Sequence, residues 1–175
     1  MSRRFLAVCC LLLAAVAVFS QDKKPLSPRD KAQFTFADGK KITVDYGRPS
    51  MRGRKIMGGL VPYGEVWRTG ANEATGFVTE AKLTIGGKEV PAGKYTLYTL
   101  PSAAGWKLII NKQTGQWGTE YDEKQDLARI DMKTTKLDKP VEEFTISFDK
   151  SGGNGAVMKL AWENTAASVD IKEQK

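Results

Sequence analysis

Short runs with a two-residue apolar period, each closed by a glycine or proline turn, recur along this chain and admit few folds. Residues 33–36 (QFTF) and 41–46 (KITVDY) flank Asp38 and Gly39, a dipeptide favoured in tight hairpin turns. Residues 75–85 hold further strand material, and Gly86-Gly87 and 91–93 (PAG) mark two more turns. Residues 94–100 (KYTLYTL) are rich in β-forming side chains. The 106–111 run (WKLIIN) is almost continuously apolar, which places it centrally, with cover on both faces. Runs at 127–132, 143–148, 157–162 and 168–171 complete the set, with 151–155 (SGGNG) as a loose turn. No window holds a helical period over three turns. The pattern predicts an all-β fold: a single-domain antiparallel β-sandwich over 31–173, with a barrel-like closure as the alternative. Trp106, Leu108, Phe144, Phe148 and Trp162 are expected in its core.

The ends narrow the compartment. Arg3 and Arg4 precede an uncharged apolar run, 5–19, and Val18, Phe19 and Ser20 make a tolerable cleavage site. Residues 1–20 are therefore expected to be a secretory signal peptide, and 21–30, with Pro25 and Pro28, a flexible lead-in. The implied location is secreted or periplasmic, with no integral membrane segment after cleavage. Cys9 and Cys10, the two cysteines of the chain, both fall in the leader, so no disulfide framework is expected.

The chain has no histidine. That removes histidine-dependent nucleophile pairs and general bases, and nearly all zinc, copper and haem sites. No metal site and no cofactor are expected. The net charge of +7 suits an anionic envelope partner, while the sequence offers no nucleic-acid-binding motif. Composition does not fix an oligomeric state.

Residues 47–72 break the alternation. A structureless connection of that length is uncommon in a compact domain, and Ile56, Met57, Leu60, Val61, Val66 and Trp67 give this one apolar residues to bury, so an ordered excursion is expected. Four of the six arginines after the leader fall in it: Arg48, Arg52, Arg54 and Arg68, the other two being Arg29 and Arg129. Arginine's planar fork makes directional contacts with carboxylates and phosphates, so such a cluster implies organised recognition. One reading is a non-enzymatic binding site for an anionic or glycan-like envelope component, with Tyr46, Arg48, Tyr63, Trp67, Arg68, Asn72 and Glu73 as candidate ligand residues. A second is a folding clasp in a structural or protein-interaction domain, with the arginines paired to the protein's own carboxylates. A third is a hydrolase using Glu65 and Glu73 as acid and base, which needs both to face one cleft. The glycines at 47, 53, 58, 59, 64 and 70 match no phosphate-loop or dinucleotide fingerprint.

The segments YGRPS (46–50), GRKI (53–56), GLVPYG (59–64), VWRTGANEAT (66–75) and PAGKYTL (91–97) carry a family signature, joined by 107–112 and QWG (116–118). By these the chain resembles the bacterial family catalogued as domain of unknown function 2911, over roughly 27–171. The resemblance implies an exported bacterial protein. It transfers no activity and no catalytic residue.

Overall fold

The structure is a computed structural model and describes residues 26–174. The expected signal peptide and residues 21–25 of the lead-in lie outside the described residues. Among the described residues nine strands run in chain order as β1 (Arg29–Thr35), β2 (Lys41–Gly47), β3 (Thr75–Thr79), β4 (Leu83–Ile85), β5 (Lys88–Val90), β6 (Gly93–Pro101), β7 (Trp106–Asn111), β8 (Asp126–Ser151) and β9 (Gly155–Glu173). They form one antiparallel sheet in the order β1-β2-β3-β6-β7-β8-β9-β4-β5. The apolar run at 106–111 is its middle strand, as its lack of alternation implies. One 3-10 turn, Glu123–Gln125, is the sole helical element among the described residues.

The Asp38-Gly39 hairpin joins β1 to β2, and Gly86-Gly87 joins β4 to β5, with Gly39, Gly86 and Gly87 all at positive φ. β1 starts at Arg29, so the last residues of the expected lead-in already belong to the sheet.

β8 is common to both halves of the sheet. Its first part, to Met132, pairs with β7, and from Lys133 onward it pairs with β9. The sequence suggests separate runs at 127–132 and 143–148, and at 157–162 and 168–171. The structure merges each pair into one long strand. Pairing slips between Lys136 and Val141 and again between Val141 and Thr145. Such bulges bend a strand, and Pro140 falls within the slip, where a missing N–H is tolerated. The bend folds the two halves onto one core. Tyr46 of β2 meets Phe144 of β8 edge-on at 5.7 Å, and Phe34 of β1 lies 6.2 Å from Phe148. Trp106, Leu108, Phe144 and Trp162 are buried as expected, while Phe148 is only partly covered. β1 and β5 remain as edges, so the sheet does not close, and the barrel-like alternative is not adopted.

The excursion is ordered and docks at three places, two of them sheet edges that would otherwise be bare and the third the loop after β7. Met51 N–H donates to the Glu142 carbonyl (2.8 Å), Phe144 N–H to the Pro49 carbonyl (2.9 Å), and Ile146 N–H to the Tyr46 hydroxyl (3.0 Å). These cap β8 where β7 has left it. Trp67 and Thr99 exchange both backbone bonds (2.8 and 2.9 Å), extending β6 past the end of β3. Gly118 N–H donates to the Asn72 carbonyl (3.0 Å), beside the Glu73–Trp117 bridge. Uncapped edges invite pairing with other chains, so these contacts protect the fold as well as placing the loop. Of the excursion's own apolar residues Ile56, Met57 and Val61 are buried, whereas Leu60 is exposed.

Candidate ligand-binding site

A recess of about 260 Å³ opens between the two limbs of the excursion. Its lining brings together Arg54, Arg68, Asn72 and Ser27, with Trp67 and Trp162 as the aromatic part. The indoles of Trp67 and Trp162 are stacked with centroids 5.8 Å apart. The backbone that presents Arg68 is strained. Thr69 is wholly buried at φ 54, and Asn72 sits at φ 64. A β-branched residue in the left-handed region is costly and persists only when its surroundings hold it. Here the Thr69 hydroxyl bonds the Trp67 carbonyl (3.2 Å) and the Thr99 hydroxyl (3.1 Å), while the Thr75 hydroxyl donates to the Thr69 carbonyl (2.8 Å). Two glycines clear the way. A Cβ at Gly47 would overlap the Ala71 carbonyl, and one at Gly118 would fall 2.6 Å from both Arg68 Cδ and the Asn72 carbonyl oxygen.

The arginines divide into two groups. Arg29 pairs with Asp45 and with Glu73 (3.4 Å). Arg48 reaches Asp30 (3.4 Å), Glu143 (3.5 Å) and the Thr145 hydroxyl (3.1 Å). Arg129 binds Asp126 and Glu123, both at 2.8 Å. Arg52, Arg54 and Arg68 form no ion pair with a described residue. Arg54 donates to the Met51 and Ser50 carbonyls (2.9 and 2.7 Å), and Arg68 makes one long bond, 3.4 Å, to the Gly70 carbonyl. No described carboxylate lines the recess.

The expected ligand residues thus separate. Trp67, Arg68 and Asn72 meet in the recess. Arg48 faces its own fold. Tyr46 is 1% exposed, and burial raises the pKa of its phenol; its ring belongs to the core and offers no ligand face. Tyr63 lines a different cavity, of about 350 Å³. Glu73 lines a third, of about 500 Å³, beside Arg29. Glu65 is exposed and lines none of these three cavities, so the two glutamates share no cleft among them. Arg54, Ser27 and Trp162 are not among the ligand residues expected from sequence, Trp162 being expected only in the core. Arg54 stood in the arginine cluster, whereas Trp162 reaches the recess from β9, which nothing near it in sequence shows. Among the described residues no group of three or more histidine, cysteine or acidic side chains is placed to hold a metal ion.

The segments 46–50, 66–75 and 116–118 meet around this recess. Residues 27–171 match the family model described as "Protein of unknown function (DUF2911)". No curated protein and no solved structure matches the chain. No helix among the described residues is long and apolar enough to cross a membrane.

Proposed function

As this chain belongs to the DUF2911 family, whose name carries no activity, we propose that it is an exported, non-enzymatic binding module that holds a small anionic envelope ligand between Arg54 and Arg68. One observation carries the reading. Two guanidinium groups, neither paired to a described carboxylate, line a recess of about 260 Å³ whose lining contains no acid. A cation that the fold does not neutralise favours an anion at that point, and the arginine fork suits a carboxylate or phosphate. The volume is that of roughly nine waters, room for an acidic sugar or a short phosphorylated body. The Asn72 amide and the Ser27 hydroxyl make no side-chain bond to another described residue, so they are free to orient it. Trp67, half-buried, adds apolar surface, and the buried Trp162 backs it. The apolar run at 5–19 behind Arg3 and Arg4 supports export.

The clasp reading has its own support, from Arg48. Asp30, Glu143 and Thr145 tie that residue between β1 and β8. The excursion therefore divides its labour, with Arg48 fastening and Arg54 with Arg68 receiving.

Calorimetric titration with hexose phosphates, uronic acids and their neutral parents tests this. The acidic members are expected to bind, their neutral parents not, and affinity is expected to fall with salt. Arg68→Ala should abolish that binding without unfolding the protein, and Arg48→Ala should lower the melting temperature with binding retained. Failure of every anion to bind wild type, or equal binding by Arg68→Ala, would overturn the proposal.

A further inference from the structure

We propose a second binding site, separate from the arginine recess, that receives the ring of a neutral sugar. It is the cavity of about 350 Å³ lined by Met57 and Tyr63 of the excursion and by residues of β8 and β9. Five residues with hydrogen-bonding side chains line it, none of them with a side-chain partner among the described residues: Thr134, Thr135, Lys136, Asn164 and Thr165. Three carry hydroxyls and one an amide, groups that both donate and accept; Thr134 and Lys136 share one face of β8, and Thr165, paired with Lys136 on the neighbouring strand, shares it too. Tyr63 is 46% exposed, and its ring edge rests on Gly58, where an added Cβ would meet it at 3.1 Å. Gly58, at φ 70, is thus both the turn and the seat of that ring.

The one carboxylate in the lining is already committed. Glu163 accepts Ile56 N–H at 3.1 Å and Met57 N–H at 3.0 Å. It sits at φ 52, opposite Val141 between the two slips of pairing, so the backbone turns there and carries Asn164 and Thr165 to the cavity wall. With Glu163 occupied, the lining has no paired carboxylates for hydrolysis, and its single free cation is Lys136. An aromatic ring, an apolar floor from Met57 and Trp106, and a fan of neutral hydroxyl and amide groups make the chemistry that recognises a pyranose. The C–H face of such a ring lies on an aromatic, and its hydroxyls pair with side chains that can donate or accept.

This site does not depend on the arginine recess, and one experiment separates them. Amide chemical shifts are followed while neutral trisaccharides of glucose, mannose and N-acetylglucosamine are added at millimolar concentration, with adenosine as a flat, non-sugar probe. At least one trisaccharide is expected to move the amides of Tyr63, Asn164 and Thr165. Tyr63→Ala should weaken it about tenfold, Asn164→Ala should weaken it too, and Arg68→Ala should leave it unchanged. Tyr63 and Asn164 are exposed, so both variants are expected to fold, and their spectra report this directly. Loss of the idea follows if no trisaccharide moves these amides, if adenosine alone does, or if the response survives both Tyr63→Ala and Asn164→Ala.

Discussion

The indole rings of Trp67 and Trp162 lie 5.8 Å apart and 18° from parallel, one from the excursion and one from β9. Phe144 closes on Trp67 at 4.9 Å and Trp106 at 6.3 Å, both edge-on. This aromatic group joins the loop to both halves of the sheet, since Trp106 belongs to β7 and Phe144 to β8. Trp67→Ala removes its middle member and leaves a void that rigid neighbours fill poorly. We expect a loss of about 3 kcal/mol in urea unfolding; an unchanged midpoint would refute it.

Backbone proximity makes a second prediction. A methyl group at Gly47 has no room beside the Ala71 carbonyl, so Gly47→Ala must push the two limbs of the excursion apart. The expected cost is about 2 kcal/mol. Gly152 has open space and no left-handed φ, so Gly152→Ala is expected to stay within about 0.5 kcal/mol of wild type. Equal urea midpoints for the two variants would contradict the close approach.

Glu163 holds the 55–61 turn by two bonds to backbone amides. Glu163→Gln exchanges one carboxylate oxygen for an NH2 that cannot accept, leaving an amide of the turn unpaired. Stability should fall by about 2 kcal/mol. Hydrogen exchange should also quicken at Ile56 and Met57 and not at Leu108 in the middle strand. Uniform acceleration across the sheet would mean that the variant unfolds globally instead.

Alkaline pH offers a test without mutation. Burial pushes the Tyr121 phenol up to about 12, helped by its hydrogen bond to Asp126, and burial also raises the phenols of Tyr46 and Tyr98. A raised folded-state pKa means that the native protein holds the phenolic proton more tightly than the unfolded chain. The stabilisation is complete below the ordinary tyrosine value near 10 and is lost as pH rises towards about 12. Melting temperature should therefore fall across that window, while tyrosinate absorbance lags behind that of the denatured protein. Coincident titration curves would count against these phenols being held in their neutral form.

The hairpins and the middle strand were legible because their signals are local: a turn dipeptide, a two-residue period, an unbroken apolar run. The long strands were not. Between Lys133 and Glu142 the side chains are mostly polar and exposed or half-exposed, so no apolar period survives, yet the backbone still pairs with 165–168 up to the slip. Backbone pairing needs no apolar side chain, and periodicity cannot register it. The candidate site was half legible. The arginine cluster stands out in the sequence, but which arginine the fold neutralises depends on Asp30 and Glu143, which arrive beside Arg48 only through the meeting of β1, β2 and β8. Tyr46 looked like a binding aromatic for the same reason: nothing near it in sequence shows that Phe144 covers it and that Ile146 uses its hydroxyl.

β8 and β9 also set an order of assembly. The second half of the sheet consists of β4, β5, β9 and the later part of β8, so β4 and β5 leave their place in the chain early and wait for β9, the last of the nine strands, before they have a partner sheet. Most of the excursion's docking points, Glu142, Phe144, Trp162 and Glu163, are made late as well. A chain emerging from its N-terminus cannot close its core until the final strand is available. It would stay loosely organised up to that moment, with apolar strands and unpaired edges open to association with other chains.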